Sequence, residues 1–111
     1  MCGAATGVGI AFALIREANP LSAESRNLAM KASQAAMAEM SKYCAARCCQ
    51  RECWTALKSA AKLSTQFLDV ALVADAPLTC EQIADNPECL GTDCPLFPTP
   101  KAAAGTACCC A

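Results

Sequence analysis

Residues 21–76 read LSAESRNLAMKASQAAMAEMSKYCAARCCQRECWTALKSAAKLSTQFLDVALVADA, a stretch that contains neither glycine nor proline. Ala, Leu, Met, Lys, Glu, Gln and Arg dominate it, all of them residues that favour helices, and β-branched residues are sparse. A sheet is not expected on that composition. One unbroken helix over the stretch would run roughly 80 Å at 1.5 Å per residue, too long for a compact domain of this size. The sequence therefore predicts two helices separated near Arg47–Glu52, where charges and cysteines crowd together, with the second reaching about Val73.

Working outward, residues 4–18 form a first helix-compatible run that Asn19-Pro20 stops, because the residue before a proline is pushed out of the α region. Ser22 then stands where an N-cap belongs, with Glu24 in the first turn at the positive end of the helix dipole. On the helix after the break, Trp54, Leu57, Ala61, Phe67, Leu68, Ala71 and Leu72 form the expected apolar stripe, opposite Lys58 and Lys62. Thr79 and Gln82 have capping-box spacing, so a short fourth helix is expected there, ending at Asn86-Pro87. Beyond it Pro87, Pro95, Pro98 and Pro100 punctuate an irregular stretch. The reading is an all-α fold, a small helical bundle or helical hairpin with an irregular Cys/Pro-rich C-terminal segment. It divides into one helical domain over 1–101 and an Ala/Cys-rich tail over 102–111.

The chain has 111 residues, 55% of them apolar but only 5% aromatic, so one core built from Ala, Leu, Met and Cys is what it can bury. Nine basic and ten acidic residues give a net charge of −1 with the signs interspersed, which leaves no basic patch for a phosphate backbone. Nucleic acid is not an expected partner. The most apolar run, Val8–Ile15, falls short of the ~20 residues a membrane-spanning helix needs, so no membrane span of its own is expected. Arg16 follows that run instead of preceding it, which fits a first helix better than a secretory signal.

Eleven cysteines are present and no histidine. The missing histidine removes Cys/His zinc sites, c-type haem attachment and His-dependent catalytic triads. No Cys-x-x-Cys occurs, which removes the thioredoxin-like redox motif. Gly3, Gly7 and Gly9 match neither nucleotide-binding loop, and Glu39, Glu52, Asp69, Glu81 and Glu88 read as solvated acids. No enzyme is expected.

What remains is cysteine chemistry. In Cys44-x3-Cys48-Cys49-x3-Cys53 each pair four apart would share a helix face, and the two pairs would point about 140° apart at 100° per residue. Such pairs address separate neighbours, and Cys80, Cys89 and Cys94 supply them. Disulfides linking these two groups of cysteines would fasten the C-terminal segment, and they imply an oxidising compartment. The doubled Cys48-Cys49 is similar to that of the eight-cysteine helical lipid carriers of plants, although the Cys-x-Cys element of that pattern is missing. A second reading takes Met37, Met40, Cys44 and Cys48 as soft ligands along one helical arc, suited to Cu(I). In having such thiols it is similar to copper-storing helical bundles, with no alignable motif. The plainer alternative for the same residues is core packing. Cys108, Cys109 and Cys110, which cannot easily pair with one another, are candidates for crosslinking, chelation or modification, as in a precursor peptide with a helical leader. The leading expectation is a non-enzymatic accessory or structural subunit that docks into a larger protein assembly, its C-terminal half fixed by disulfides. A thiolate Cu(I)-binding protein is the main alternative and the modified precursor peptide the third.

Overall fold

The computed structural model of the protein describes residues 2–98. Three helices form its body: α1 (Gly3–Ile15), α2 (Ala23–Met40) and α3 (Cys49–Phe67), each in contact with the other two. A single 3-10 turn, Gly91–Asp93, is the other helical element, and no strand occurs among the described residues. The all-α small bundle expected from composition is the fold observed.

Helix α1 carries no charged residue and ends three residues before the expected stop. Its termination is a backbone device: Glu17 takes a left-handed φ of 50°, its N–H bonds the Leu14 carbonyl at 3.2 Å, and the Ala18 N–H bonds the Ala13 carbonyl at 2.8 Å. These are the two crossed bonds of a Schellman motif, which need one left-handed residue and here use a glutamate where glycine is usual. Asn19 then organises the turn into α2, its Oδ1 accepting from the N–H groups of Leu21 at 2.9 Å and Ser22 at 3.1 Å. Ser22 sits at the N-cap of α2 as expected. Its hydroxyl, however, donates to the Asn19 carbonyl and accepts from the Asn19 N–H instead of capping a helical amide.

The interruption between α2 and α3 covers residues 41–48, upstream of the expected Arg47–Glu52, so Cys49–Glu52 is already helical. Arg51 explains the shift. From inside α3 its Nη2 reaches back to the Ala46 carbonyl at 3.1 Å, and its guanidinium lies 5.6 Å from the centre of the Tyr43 ring. The charge that looked like a breaker is a clasp on the preceding loop. Cys44 and Cys48 consequently lie outside any helix and do not share a helical face, contrary to expectation.

Helix α3 also stops earlier than expected, at Phe67 instead of about Val73. Asp69 adopts a left-handed φ of 55°, and the chain doubles back until the Leu72 N–H donates to the buried Ser64 hydroxyl at 3.1 Å. Ser64 Oγ meanwhile donates to the Ala61 carbonyl at 2.7 Å, so both of its hydrogen-bonding functions are used. The expected helix over 79–86 is absent: those residues form bends and turns. A helix so short has little to offset its nucleation penalty, and the Cys80 N–H is instead committed to the distant Leu96 carbonyl at 2.8 Å.

The core is small and alanine-rich, with Ala5, Val8 and Phe12 of α1, Ala32 and Ala36 of α2, Ala56 of α3, and Leu68 just beyond it. Ala60, Leu63 and Phe67 pack against this centre, so α3 turns the Ala56/Ala60/Leu63/Phe67 face inward. The expected stripe is therefore rotated: Leu57 and Leu72 are exposed and Trp54 is half-buried. Phe12 of α1 and Phe67 of α3 meet edge to face with ring centres 6.3 Å apart. Helices α1 and α2 come close at Gly9, where a Cβ would stand 2.8 Å from the Ala29 carbonyl oxygen and collide with Ser33 Oγ.

Candidate functional site: a cavity lined by cysteines

Beyond α3 the chain returns past the start of that helix, and a small cavity opens between the two. Cys48, the N-cap of α3, contributes one wall. Cys80, Cys89 and Cys94 contribute the others, with Ile83, Leu90 and Leu96 among the apolar residues completing it. The space is about 30 Å3, room for one or two bodies the size of a water molecule. Cys94 is buried, the other three are half-buried, and all four are free thiols.

Short-range hydrogen bonds shape the irregular wall. The Cys89 N–H bonds the Asn86 carbonyl at 3.1 Å, the Cys94 N–H bonds the Gly91 carbonyl at 3.0 Å, and the Phe97 N–H bonds the Cys94 carbonyl at 3.1 Å. The Gly91 N–H, on a residue whose φ of 59° suits glycine, points at Cys89 Sγ at 3.4 Å. The long-range pairing of Cys80 with Leu96 sets Cys80 beside the Cys94 turn.

Two sources of positive potential face this space. Arg51 lines it and is only 4% exposed, with Glu52 Oε1 4.0 Å from Nη2. The N-terminus of α3 begins at Cys48 and adds the partial charge of its unpaired amides.

Of the cysteines singled out in the sequence, the structure thus gathers Cys48, Cys80, Cys89 and Cys94. Cys49 and Cys53 are exposed and do not line the cavity, and Cys44 is exposed in the segment between α2 and α3. Met37 and Met40 pack against the helical core, whereas Cys48 faces the cavity. Cys108, Cys109 and Cys110 lie outside the described residues. Arg51 is the functional candidate that sequence reasoning missed: its position one turn into α3 is legible, but its burial is a tertiary fact.

A second feature lies on α1. A helix apolar all round belongs in a protein interior. Yet α1 buries only Ala5, Val8, Gly9 and Phe12, while Ile10 and Leu14 are 56% and 74% exposed. Beside them the exposed Met30 of α2 borders a groove floored by Gly9, Ala13 and Ser33. No helix among the described residues is long and apolar enough to cross a membrane.

Fold and site together define a small cysteine-rich three-helix protein. The chain belongs to the family described as "Family of unknown function (DUF5714)", whose profile matches residues 1–97 and so takes in all four cavity cysteines. No curated protein and no solved structure matches the chain.

Proposed function

We propose that this protein is a non-enzymatic helical accessory subunit that docks into a larger assembly by the groove between α1 and α2. The observation that carries the reading is the uncovered face of α1, with Ile10 and Leu14 standing in solvent on a helix that has no charge at all. The occupant that fits is an apolar-faced helix of a different chain. The floor of Gly9, Ala13 and Ser33 admits close backbone approach, and the flanking methionines adapt to the side chains that arrive. A lipid surface fits less well, since interfacial helices carry basic residues on their polar face and α1 has none.

The test substitutes Ile10→Glu and Leu14→Glu together. In native extracts the wild-type chain is expected in a complex well above its 11.5 kDa, and the double variant as a free monomer with an unchanged melting curve, because both side chains are solvent-exposed. A wild-type protein that is monomeric in extracts, or a variant that still assembles, refutes the reading. A complex that the purified chain forms by itself would make the occupant a second copy and refute the different-chain assignment.

A further inference from the structure

A cleft of about 310 Å3 lies between the end of α2 and the middle of α3, and it shares no lining residue with the cysteine cavity or the α1 groove. We infer that this cleft binds a small phosphate monoester, its phosphoryl group held by Lys58, Lys62 and Ser59 and its organic part laid against Trp54.

Helix geometry assembles the site. At about 100° per residue, Trp54, Lys58, Lys62, Thr55 and Ser59 fall in that order within an arc of about 140° on α3. All five line the cleft. Glu39, Lys42 and Tyr43 line it from the end of α2 and the loop that follows, and the chain beyond α3 contributes Pro95, which brings no charge.

Charge selects the class of ligand. Lys42 is already committed, since its Nζ donates to both carboxylate oxygens of Glu39 at 2.7 Å. Lys58 and Lys62 make no hydrogen bond or ion pair among the described residues, and the Lys58 ammonium stands 5.2 Å from the centre of the Trp54 ring. Two uncompensated charges at i and i+4 match a phosphate monoester, which carries about −1.5 to −2 near neutral pH. A carboxylate or a phosphodiester, with a single charge, would leave one lysine unmatched. A polynucleotide would need many more cations than these.

Ser59 points to the same ligand independently. It is 7% exposed, yet its hydroxyl takes part in no hydrogen bond among the described residues. A helical hydroxyl ordinarily donates to a carbonyl one turn back, as Thr55 does to Arg51 at 2.8 Å and Ser64 to Ala61 at 2.7 Å. Among the described residues no unpaired polar side-chain atom is sealed from solvent, so the Ser59 oxygen opens on the cleft it lines. A phosphoryl oxygen supplies the acceptor that this hydroxyl lacks. The volume is at the small end of the range for ligand sites, with room for more than a bare phosphate, and the half-buried indole of Trp54 is the apolar wall for the remainder.

Trp54 is the chain's single tryptophan, so its fluorescence reports on the cleft without a label. The purified full chain is titrated at fixed ionic strength with phenyl phosphate, inorganic phosphate and benzoate, with fluorescence and calorimetry read in parallel. Phenyl phosphate is expected to bind saturably at one equivalent, at least about tenfold more tightly than either comparison anion, because benzoate lacks the second charge and inorganic phosphate lacks the ring. Its affinity should rise from about pH 5 to about pH 7 as the ester loses its second proton near pH 6, a range in which the lysines stay charged and the chain has no histidine to titrate. Lys58→Gln and Lys62→Gln should each weaken binding by about tenfold or more, and Ser59→Ala by several-fold. Lys31→Gln, at an exposed position of α2 outside the cleft, should leave it unchanged. No saturable binding, a comparison anion bound as tightly as phenyl phosphate, an affinity independent of pH, or an equal loss in Lys31→Gln overturns the assignment. A short tyrosine-phosphorylated peptide that binds more tightly than phenyl phosphate also overturns it, by making the ligand a protein instead of a small molecule.

Discussion

The helical body, residues 3–67, and the returning segment, residues 68–98, are held by different physics. In the body each helix buries a face against the other two, and Phe12, Ala32, Ala36 and Ala56 are at most 5% exposed. The returning segment rests on Leu68, Cys94 and Leu96, the Leu72–Ser64 and Cys80–Leu96 hydrogen bonds, and a series of local turns. Burial of apolar area grows with the number of packed residues, whereas turns save little more than their own ordering entropy. The contrast teaches that the four cavity cysteines gather at the seam between a densely packed region and a sparsely packed one.

The contrast can be attacked most directly in the body. Phe12→Ala removes the largest fully buried side chain and its edge-to-face partner contact with Phe67. It should lower global stability by about 3–5 kcal/mol through lost transfer energy and a residual cavity. Denaturant unfolding followed by helical circular dichroism measures this; a loss below 1 kcal/mol would mean the three helices do not share one core.

Leu96→Ala, in the returning segment, should cost about 2–3 kcal/mol, the low end for a buried leucine. The loss should be local. Native-state hydrogen exchange would show the Cys80 amide, bonded to Leu96, exchanging faster while amides in the middle of α1 and α2 keep their protection. Equal acceleration everywhere would merge the two regions into one cooperative unit and end the comparison.

Trp54 sharpens the boundary between them. The rotated face of α3 leaves its indole half-buried, with Lys58 Nζ 5.2 Å from the ring centre and Pro95 nearby. Trp54→Ala should therefore cost about 1–2 kcal/mol, below the 3–5 of a fully buried aromatic. A thermal melt that falls by the larger amount would show that the returning segment covers Trp54 more tightly than its exposure implies.

The smallest effect belongs to the end of α1. Glu17 holds a left-handed φ of 50°, a conformation that favours glycine. Glu17→Gly should raise stability by about 0.5–1 kcal/mol, seen as a higher denaturant midpoint with an unchanged slope. A loss would mean that the carboxylate contributes more than its backbone strain takes away.

The sequence by itself determined the all-α class, the turn at Asn19-Pro20, the start of α2 after Ser22 and the existence of a break before α3. These follow from local chemistry, since proline geometry, helix propensity and the absence of glycine act within a few residues. It also pointed to the cysteines of both halves, because no histidine or nucleotide loop competes with them. Tertiary structure decided the rest. Arg51 placed the break upstream of the charged cluster by reaching back to Ala46, and a helix over 79–86 gave way to the pairing of Cys80 with Leu96. The inward face of α3 became Ala56, Ala60, Leu63 and Phe67, which keeps Phe67 of the expected stripe but turns Leu57 outward and leaves Trp54 half-buried, because the positions of α1 and α2 decide which side of the helix is covered. The choice of Cys48 over Cys49 and Cys53 as the companion of Cys80, Cys89 and Cys94 has the same origin. Adjacent residues at a helix start point in different directions, and only the return path of the chain determines which direction meets a partner.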